Sequence, residues 1–591
     1  MAPNWVKKLK PAGPQGSELL EQERAQSHIP VQRLSEFLFT KEVLARQDKI
    51  LNVLKSEKVF NKSQNYFAGR EARFETALAR AKRLRQLAVQ HKWTKDEYLM
   101  ASELISEPGP YGLHASMFLI TLRDQGTSEQ HKLFLEKADK YQIIGCYAQT
   151  ELGHGSNVRG LETTATWNPD DKTFTLHSPH LTASKWWIGS TIVLQSGGVL
   201  ARGVTIATRY AAVRRQFQDR DAKEDTGENQ VLNYTMVQVR LLPLLAATFA
   251  LHFTGRGMMA LYQENQKKMA GDAGKVAHTG RGPSPEELFP STDLLADLHA
   301  TSCGLKALAS TTAAEGLEVC RRACGGHGYS SFSGIGSWYA DYLPTTTWEG
   351  DNYMLTQQVA RYLLKTARSV LSGHPSDNDT AKIFQEFLSR RDMGAAFDIL
   401  GRDEDIVAAF AWRTSFLTFE ALKHRDEEKN SWNSLLVDFW RLSTAHSQYL
   451  IVKNFHEALR SDSIASELDA ETVALMHKLF RLFALHTLEK EASEFFSSSA
   501  VTVRQIQLAR TKAVMKLLEE IRPHAVRLVD AWRFPDWQLD SSLGRYDGRV
   551  YEDLFERASE MNPLNAMTVD PYPESDVLIK KDEREKFKAK L

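Results

Sequence analysis

The chain has 591 residues, of which 42% are hydrophobic and 25% are charged. This length and composition supply several packed cores, and they exclude a disulfide miniprotein, a single small module and a wholly disordered chain. Lysine plus arginine and aspartate plus glutamate both total 74. No excess of positive charge therefore attracts nucleic acid or an anionic membrane, and we expect neither as a partner.

The scarcity of cysteine predicts a reducing compartment. The chain has four cysteines, and its first 30 residues lack the apolar core of a secretory signal. The longest apolar stretch, residues 241–253, is too short to cross a bilayer core of about 30 Å, so we expect a buried helix and no membrane span. The chain ends with Ala589, Lys590 and Leu591, a variant of the C-terminal signal that the peroxisomal import receptor reads. Taken alone, these three residues leave peroxisomal import open.

Helical and β-type patterns occur in separate blocks along the chain. Residues 1–30 are polar and interrupted by prolines and glycines, which predicts a flexible arm. Residues 161–187 are rich in threonine and aromatic residues around a turn at residues 168–171, which predicts a β-hairpin. A helical period then returns, with one predicted apolar face that includes Val193 and Leu200.

These patterns divide the chain into five predicted parts. They are a flexible arm (1–30), an N-terminal helical domain (31–144), a short β domain (145–190), a central helical bundle (191–371) and a C-terminal helical domain (380–591). The β domain is small enough that most of the chain is predicted to be helical.

One group of possible metal ligands has a simpler interpretation. Cys320 and Cys324 lie one helical turn apart, and His327 follows them. A zinc site needs a fourth ligand, and none is evident nearby. We interpret the two cysteines as small buried residues and expect no metal site.

Two segments favour chemistry more strongly. Residues 146–157 combine hydroxyl and amide side chains with glycines that let backbone approach a flat ligand, although a turn-rich connection has the same composition. In the second segment Glu349 lies between Trp348 and Gly350. Partial desolvation by the tryptophan would raise the pKa of Glu349 and make it a better base, although composition alone favours a solvated loop carboxylate.

Together with other motifs, these segments resemble the peroxisomal acyl-CoA oxidases, in that family's order along the chain. The matching motifs are residues 147–151, 153–155, 161–165, 185–189, 209–216, 323–329, 348–350 and 543–548. The resemblance implies a mainly α fold: an acyl-CoA dehydrogenase-like helical bundle, a small truncated β domain and a second, C-terminal helical bundle. The β domain is truncated because the segment after Gly189 passes directly into helical sequence, where the family has further strands.

The resemblance also implies an activity. The family uses FAD to oxidise a fatty acyl-CoA to the trans-2-enoyl-CoA, the first step of peroxisomal fatty acid β-oxidation, and molecular oxygen is reduced to hydrogen peroxide. By the family pattern Glu349 is the base that removes the proton next to the thioester carbonyl. A homodimer, and import into the peroxisome by the import receptor, are implied as well.

The family pattern assigns FAD-binding roles to five residues. Thr150 matches the threonine that contacts the flavin, and Gly189 matches a glycine against which the flavin packs. Arg214 resembles the arginine that meets the pyrophosphate. Gly325 and Gly326 resemble the turn that receives the adenosine end, commonly from the partner subunit.

Two alternatives to an active oxidase remain at this point. The chain could be a catalytically impaired relative that acts as a binding or assembly subunit of full-length oxidases. It could also be an acyl-CoA dehydrogenase that passes its electrons to another flavoprotein, although the terminal tripeptide and the extra helical domain disfavour this.

Overall fold

The computed structural model describes residues 13–107, 109–185, 195–218, 220–221, 227–276, 292–394 and 397–566. The predictions for Gly189 and for the terminal tripeptide, residues 589–591, lie outside these ranges. Within them the protein consists mainly of α-helices with one two-stranded sheet. The mainly α fold that the sequence predicts is confirmed.

The region before the sheet is helical. Its helices, in chain order, are α1 (Gly16–Gln26), α2 (Val31–Phe39), α3 (Lys41–Ser56), α4 (Arg70–Gln90), α5 (Lys95–Ile105), α6 (Leu119–Gln125), α7 (Ser128–Gln130) and α8 (Glu136–Asp139). Helices α3, α4 and α5 enclose an apolar core of their own, which includes Ile50, Leu54, Leu84, Leu87 and Leu104.

The flexible arm predicted for residues 1–30 is wrong for Gly16–Gln26, which forms α1. Leu19, Leu20 and Glu23 of this helix are buried. The Glu23 carboxylate accepts hydrogen bonds of 2.6 and 2.9 Å from the Arg522 guanidinium. The polar composition of the segment conceals this role, because its charges are matched by groups that lie far away in the sequence.

The predicted β-hairpin is confirmed. Strands β1 (Thr164–Asn168) and β2 (Thr173–His177) pair antiparallel, with Trp167 opposite Phe174. Both strands are largely exposed, and the Trp167 and Phe174 side chains retain 49% and 61% of their accessible surface. A two-stranded ribbon is marginal by itself, so the position of this hairpin depends on ties to neighbouring segments.

The helices after the sheet form one continuous helical body. Those of the central part are α9 (Ser196–Val213), α10 (Thr235–Val276), α11 (Thr292–Ala323), α12 (Gly326–Tyr329), α13 (Ile335–Tyr342) and α14 (Asn352–Leu371). Those of the C-terminal part are α15 (Asp379–Arg390), α16 (Asp403–Asp426), α17 (Leu436–Leu459), α18 (Asp462–Glu467), α19 (Ala470–Lys490), α20 (Ala492–Ser497), α21 (Val503–Leu508), α22 (Met515–Ile521), α23 (Ala525–Asp530), α24 (Asp536–Leu539) and α25 (Val550–Ser559). The larger of two apolar cores, which includes Val199 and Val550, runs through both parts. The second core, which includes Val359 and Phe439, also joins helices of both parts.

Helix α9 lies at the centre of this body. Every residue of α9 except Gly198 is buried, because α10 and α11 pack against it and α1 and α23 cover its remaining sides. The predicted helix is confirmed and Leu200 of its predicted apolar face is buried, but burial extends to the other sides of the helix as well. Val193 of that face lies outside the described residues. Arg202 and Arg209 make the helix look two-sided in sequence, but both guanidiniums are buried and paired inside the protein.

The longest apolar stretch is also buried, as predicted. Thr235–Glu264 within α10 is long and apolar enough to cross a membrane. An 18-residue window of it has a mean hydropathy of 1.5, but 67% of that window is buried inside the protein. Leu241, Leu245 and Phe249 have no accessible surface. This is the burial of a core helix.

The interpretation of the cysteine pair is confirmed. Cys320 and Cys324 on α11 are 0% and 3% exposed, and burial raises the pKa of the Cys324 thiol to about 12. His327 lies on the exposed turn that follows.

One buried carboxylate joins the two ends of the chain to its middle. Arg209 of α9 donates from Nε and Nη2 to Asp530 Oδ1 at 3.0 and 2.8 Å. Arg24 of α1 donates to Asp530 Oδ2 at 2.8 Å. The Asp530 and Arg209 side chains are 1% and 2% exposed. Each arginine supplies the charge that the buried carboxylate needs, so these helices cannot separate without exposing or isolating an ion.

We expect Asp530→Asn to lower the free energy of unfolding by about 3–5 kcal/mol. The substitution removes the anion that Arg24 and Arg209 share and leaves the buried Arg209 with only the more distant Asp536 carboxylate, at 3.8 Å. Urea denaturation of the purified protein measures the effect. Asp426→Asn is the matched control: it breaks the exposed Arg368–Asp426 pair, with N···O at 2.7 Å, and should cost less than about 1 kcal/mol. Equal losses in the two variants would contradict the role given to Asp530.

Candidate active site

Glu349 lies in a tight turn between two helical segments. A 3₁₀ turn over Leu343–Thr346 precedes it, and α14 begins at Asn352. The φ angle of Glu349 is +54° and that of Gly350 is +96°. A non-glycine residue in this left-handed region costs about 1–3 kcal/mol and persists only where its surroundings hold it. The backbone therefore presents Glu349 in a conformation that the neighbouring structure must impose.

The environment of Glu349 changes its acidity in the direction that the sequence predicts. Desolvation by the surrounding protein raises the pKa of this carboxyl from 4.5 to about 7, and the charge of Lys306 acts in the opposite direction. The side chain nevertheless keeps an open surface toward solvent, which leaves it accessible to a ligand. Glu349 thus combines access with a pKa suited to accepting a proton near neutral pH.

Two residues that the sequence analysis did not single out, Lys306 and Asn352, connect the turn to α11. The ammonium of Lys306 on α11 donates to the Gly350 carbonyl at 2.7 Å and to Asn352 Oδ1 at 2.9 Å. The Asn352 amide in turn donates to the Ala307 carbonyl at 3.0 Å. The available signal in the sequence was a lone lysine within the apolar run at residues 303–309.

Two donors beside the carboxylate are without partners in the part of the chain that the structure describes. The indole Nε1 of Trp348 is buried and has no acceptor there. The backbone N–H of Glu349 likewise donates to no described group. Buried or strained donors of this kind are normally satisfied, so this turn has hydrogen-bonding capacity left for a bound molecule.

A second cluster surrounds the buried Glu151 carboxylate, next to Thr150. Glu151 accepts hydrogen bonds from the amides of Glu162 and Thr163, both at 2.9 Å, from the Thr163 hydroxyl at 2.6 Å and from Lys185 Nζ at 3.1 Å. Burial raises the pKa of Glu151, but these donors outweigh it and hold the pKa well below its usual range. The cluster ties the segment that carries Thr150 to both sides of the hairpin.

The same cluster contains the side chains of Glu151, His154 and Glu162, whose oxygen and nitrogen atoms lie within 4.8 Å of one another. Such a group can hold a cation. Here the Lys185 ammonium already supplies a positive charge at 3.1 Å from Glu151. The cluster is therefore satisfied as an internal ion pair.

Three other predicted site residues, Arg214, Gly325 and Gly326, lie near the C-terminal end of α9. Arg214 caps its C-terminus, and its Nη1 donates to the Tyr551 hydroxyl at 3.3 Å. One turn earlier, the ring of Tyr210 lies 6.1 Å from the ring of His327. This contact places the Gly325 and Gly326 turn near that end of the helix.

The turn that carries Glu349 lies near the opposite end of α9. Ser196, the first residue of the helix, hydrogen-bonds to the Tyr342 hydroxyl at 2.8 Å, and Tyr342 immediately precedes the Leu343–Thr346 turn. Eighteen residues of helix span about 27 Å. The chain therefore brings Arg214, Gly325 and Gly326 together but keeps them far from its own Glu349.

Comparison with known proteins identifies the family. Three family models match: "Acyl-coenzyme A oxidase N-terminal" over residues 30–144, "Acyl-CoA oxidase, C-alpha1 domain" over 186–364 and "Acyl-CoA oxidase" over 402–578. Peroxisomal acyl-coenzyme A oxidase 1 of Arabidopsis thaliana is 31% identical, over 89% of this chain and 92% of the relative. The chain belongs to the acyl-CoA oxidase family. The rat enzyme of the same name is 30% identical, with 89% and 93% coverage.

Solved acyl-CoA oxidases share the fold. Acyl-CoA oxidase 1 of Arabidopsis thaliana superposes with a TM-score of 0.84 at 29% identity, covering 97% of this chain and 99% of the other. Acyl-CoA oxidase-1 of Caenorhabditis elegans, complexed with FAD and ATP, gives 0.84 at 26% identity, with 98% and 99% coverage. As an acyl-CoA oxidase, the chain is an FAD-dependent oxidoreductase of peroxisomal fatty acid β-oxidation, as the resemblance implies.

The alignment with a relative also shows that this chain lacks internal segments that the relative has. The alignment with the Arabidopsis relative is 641 positions long, yet it takes in only 89% of this chain's 591 residues. The relative therefore carries internal segments without counterparts here. Between the first two matched family models lie residues 145–185, which include the exposed hairpin.

We expect Glu151→Gln to loosen the hairpin without unfolding the helical body. Glutamine replaces one acceptor oxygen of the carboxylate with an NH2 group, which cannot accept the hydrogen bonds of the surrounding donors. It also removes the negative charge that pairs with Lys185. Hydrogen exchange should show faster exchange of the β1 and β2 amides, with little change in α9–α11. Glu162→Gln is the control, since Glu162 accepts one exposed hydrogen bond, from Thr182 at 2.6 Å. Unchanged protection in the Glu151 variant would show that other contacts hold the hairpin.

Proposed function

We propose that Glu349 is the base of this acyl-CoA oxidase and removes the proton from the carbon next to the thioester carbonyl. Its raised pKa, about 7, is the observation that carries the proposal. A carboxylate with an ordinary pKa is a weak base for such a carbon acid, and a base is most effective when its pKa is near the working pH. The same perturbation favours an active enzyme over an impaired assembly subunit, which has no need of it.

The turn also offers groups for the charge that develops on the substrate. As the proton leaves, negative charge accumulates on the thioester oxygen, and a fixed donor aimed at that oxygen lowers the barrier. The backbone N–H of Glu349, which no described acceptor occupies, is such a donor. The indole nitrogen of the adjacent Trp348 is buried and has no acceptor among the described residues, so it is a second donor in the same turn.

The residues present fit FAD. Arg214 offers a guanidinium for the pyrophosphate. At Gly325 and Gly326 an added Cβ would meet nothing within 4 Å, so backbone there is open to a flat ligand. Half-buried Thr150 offers a hydroxyl for the flavin, and Gly189 stays a prediction. FAD held by these residues would supply the acceptor for the hydride of the β-carbon and the route of the electrons to oxygen, which yields hydrogen peroxide.

A homodimer would explain why the predicted FAD-binding residues and Glu349 lie near opposite ends of α9. Arg214, Gly325 and Gly326 lie near one end of α9, and the turn of Glu349 lies near the other end of this helix, which is about 27 Å long. We therefore assign the FAD site to two subunits: one supplies Glu349 and Thr150, and the other supplies the Arg214 and Gly325–Gly326 surface. Recognition of the terminal tripeptide by the peroxisomal import receptor remains a separate prediction.

We expect Glu349→Gln to lower peroxide formation from fatty acyl-CoA by roughly 10²–10⁴-fold, the usual contribution of a positioned base. The amide keeps the size of the side chain but cannot accept the proton. FAD content and melting temperature should stay close to those of the parent. Glu129→Gln, at an exposed glutamate of α7, controls for loss of a negative charge. A Glu349 variant that turns over at the parental rate would remove it from the mechanism.

We expect Gly326→Ala to weaken FAD binding roughly tenfold, the scale of one lost hydrogen bond, without loss of stability. The new methyl group meets no protein atom within 4 Å, so a weaker affinity reports contact with the ligand. Titration of the apoprotein with FAD measures it. Gly112→Ala, which is equally uncrowded, is the matched control and should bind FAD normally.

The same variant tests the shared site. Mixed dimers of Glu349→Gln and Gly326→Ala chains contain one site with both an intact base and an intact glycine turn, provided that the two come from different subunits. Activity at low FAD should then exceed that of either variant alone. Mixtures that merely average the two variants would place both groups in one subunit's site.

A further inference from the structure

Lys306 is a buried charge that touches the catalytic turn. It lies in the middle of α11 and is 4% exposed. Within the described ranges it forms no ion pair at 4.0 Å or less, and its partners are the neutral Gly350 carbonyl and the Asn352 amide oxygen. Burying an ammonium without a directly paired anion is costly. A charge kept under these conditions is available to act on nearby groups.

Several titratable groups face this ammonium. Burial lowers the pKa of Lys306 to about 8, while Glu349, Asp351 and the Cys303 thiol act in the opposite direction. Burial raises the pKa of Cys303 to about 11, so the thiol is neutral near pH 7. The charged neighbours are therefore the carboxylates of Glu349, across the turn, and Asp351, at the start of α14. Lys306 remains largely protonated at neutral pH.

The same lysine holds the backbone of the turn. Gly350, which accepts from Lys306, has a φ of +96° and follows the left-handed Glu349. Asn352, the second acceptor, is the first residue of α14 and is anchored to α11 through the Ala307 carbonyl and the Ser310 hydroxyl, both at 3.0 Å. The ammonium thus connects a rigid helix to the backbone on the C-terminal side of Glu349.

We infer that Lys306 is a positioning residue for proton abstraction: it holds the Glu349–Gly350 turn through its hydrogen bonds and favours the ionised form of Glu349 through its charge. The inference rests on the proposed role of Glu349 as the base. Burial alone makes the carboxylate prefer its proton, and a protonated carboxyl cannot accept another. The lysine charge limits this preference, so that a useful fraction of the base is ionised near neutral pH.

Two substitutions separate the charge from the hydrogen bond. Lys306→Gln keeps a donor for the Gly350 carbonyl but removes the charge. Lys306→Arg keeps the charge on a side chain of different shape. The rate of flavin reduction in the FAD-loaded enzyme, mixed anaerobically with a fatty acyl-CoA, is measured from about pH 6 to about pH 9 for each variant.

In Lys306→Gln the acid limb of this profile should move up by roughly one pH unit, the lower end of the effect of a nearby opposite charge. A shift of that size reduces the rate at pH 7 roughly fivefold and leaves the rate at high pH nearly unchanged. Lys306→Arg should keep the limb near its parental position even if its rate is lower throughout. An unmoved limb in Lys306→Gln, or the same movement in both variants, would overturn the inference.

A second readout does not depend on activity. A raised pKa means that the folded protein binds more protons than the unfolded chain between about pH 4.5 and 7, so ionisation of Glu349 lowers stability as pH rises through that interval. The melting-temperature difference between the parent and Glu349→Gln should follow this course. On a Lys306→Gln background the same difference should extend to higher pH, and an identical course on both backgrounds would also overturn the inference.

The two proposals fail separately. If Glu349→Gln reduces flavin at the parental rate, the proposed base is wrong. If Glu349→Gln is inactive but the acid limb of Lys306→Gln lies at its parental pH, Glu349 remains the proposed base and the role given to Lys306 is wrong.

Discussion

The burial of Arg209 on α9 determines how the rest of the molecule is arranged. A buried guanidinium is stabilised by a buried anion, and Asp530, 321 residues later, supplies one to Arg209. Because Asp530 also accepts from Arg24, one carboxylate fixes α1, α9 and α23 against one another. With α9 held on every side, its two ends become fixed points, and each end positions one part of the proposed FAD and substrate site.

The chemistry of the site arises from opposing effects on one carboxylate. Desolvation raises the pKa of Glu349, the proposed base, and the charge of Lys306 lowers it. The balance depends on the packing of α11 against α14, since Lys306 belongs to the first helix and Asn352 to the second. A shift between these helices would therefore change acidity and geometry together.

The β region works by a different principle. Its strands bury little surface, and Trp167 and Phe174 remain half exposed or more. A single carboxylate, Glu151, accepts hydrogen bonds from two separate stretches of chain, one on each side of the hairpin, and so ties the hairpin through polar contacts where a larger sheet would use apolar packing. The position of the segment that carries Thr150 thus depends on the hydrogen bonds around Glu151, whereas the position of Glu349 depends on helix packing.

Local patterns in the sequence determined much of this protein. They identified the mainly helical fold, the hairpin and its turn, the burial of residues 241–253 and the carboxylate beside Trp348, because each rests on residues close together in the chain. Side-chain periodicity and turn chemistry are local properties. The order of the motifs added the family, the FAD requirement and the peroxisomal setting.

Only the tertiary structure decided that α9 is buried on all sides and that residues 16–26 form a helix. It also decided that Lys306 contacts the turn that carries Glu349, and that this turn and Arg214 lie near opposite ends of α9. These features join residues tens to hundreds of positions apart. A charged residue looks like a surface residue in sequence, and its burial becomes favourable only when a distant partner packs against it. No local pattern carries that partner's identity, so the pairing is decided when the helices pack.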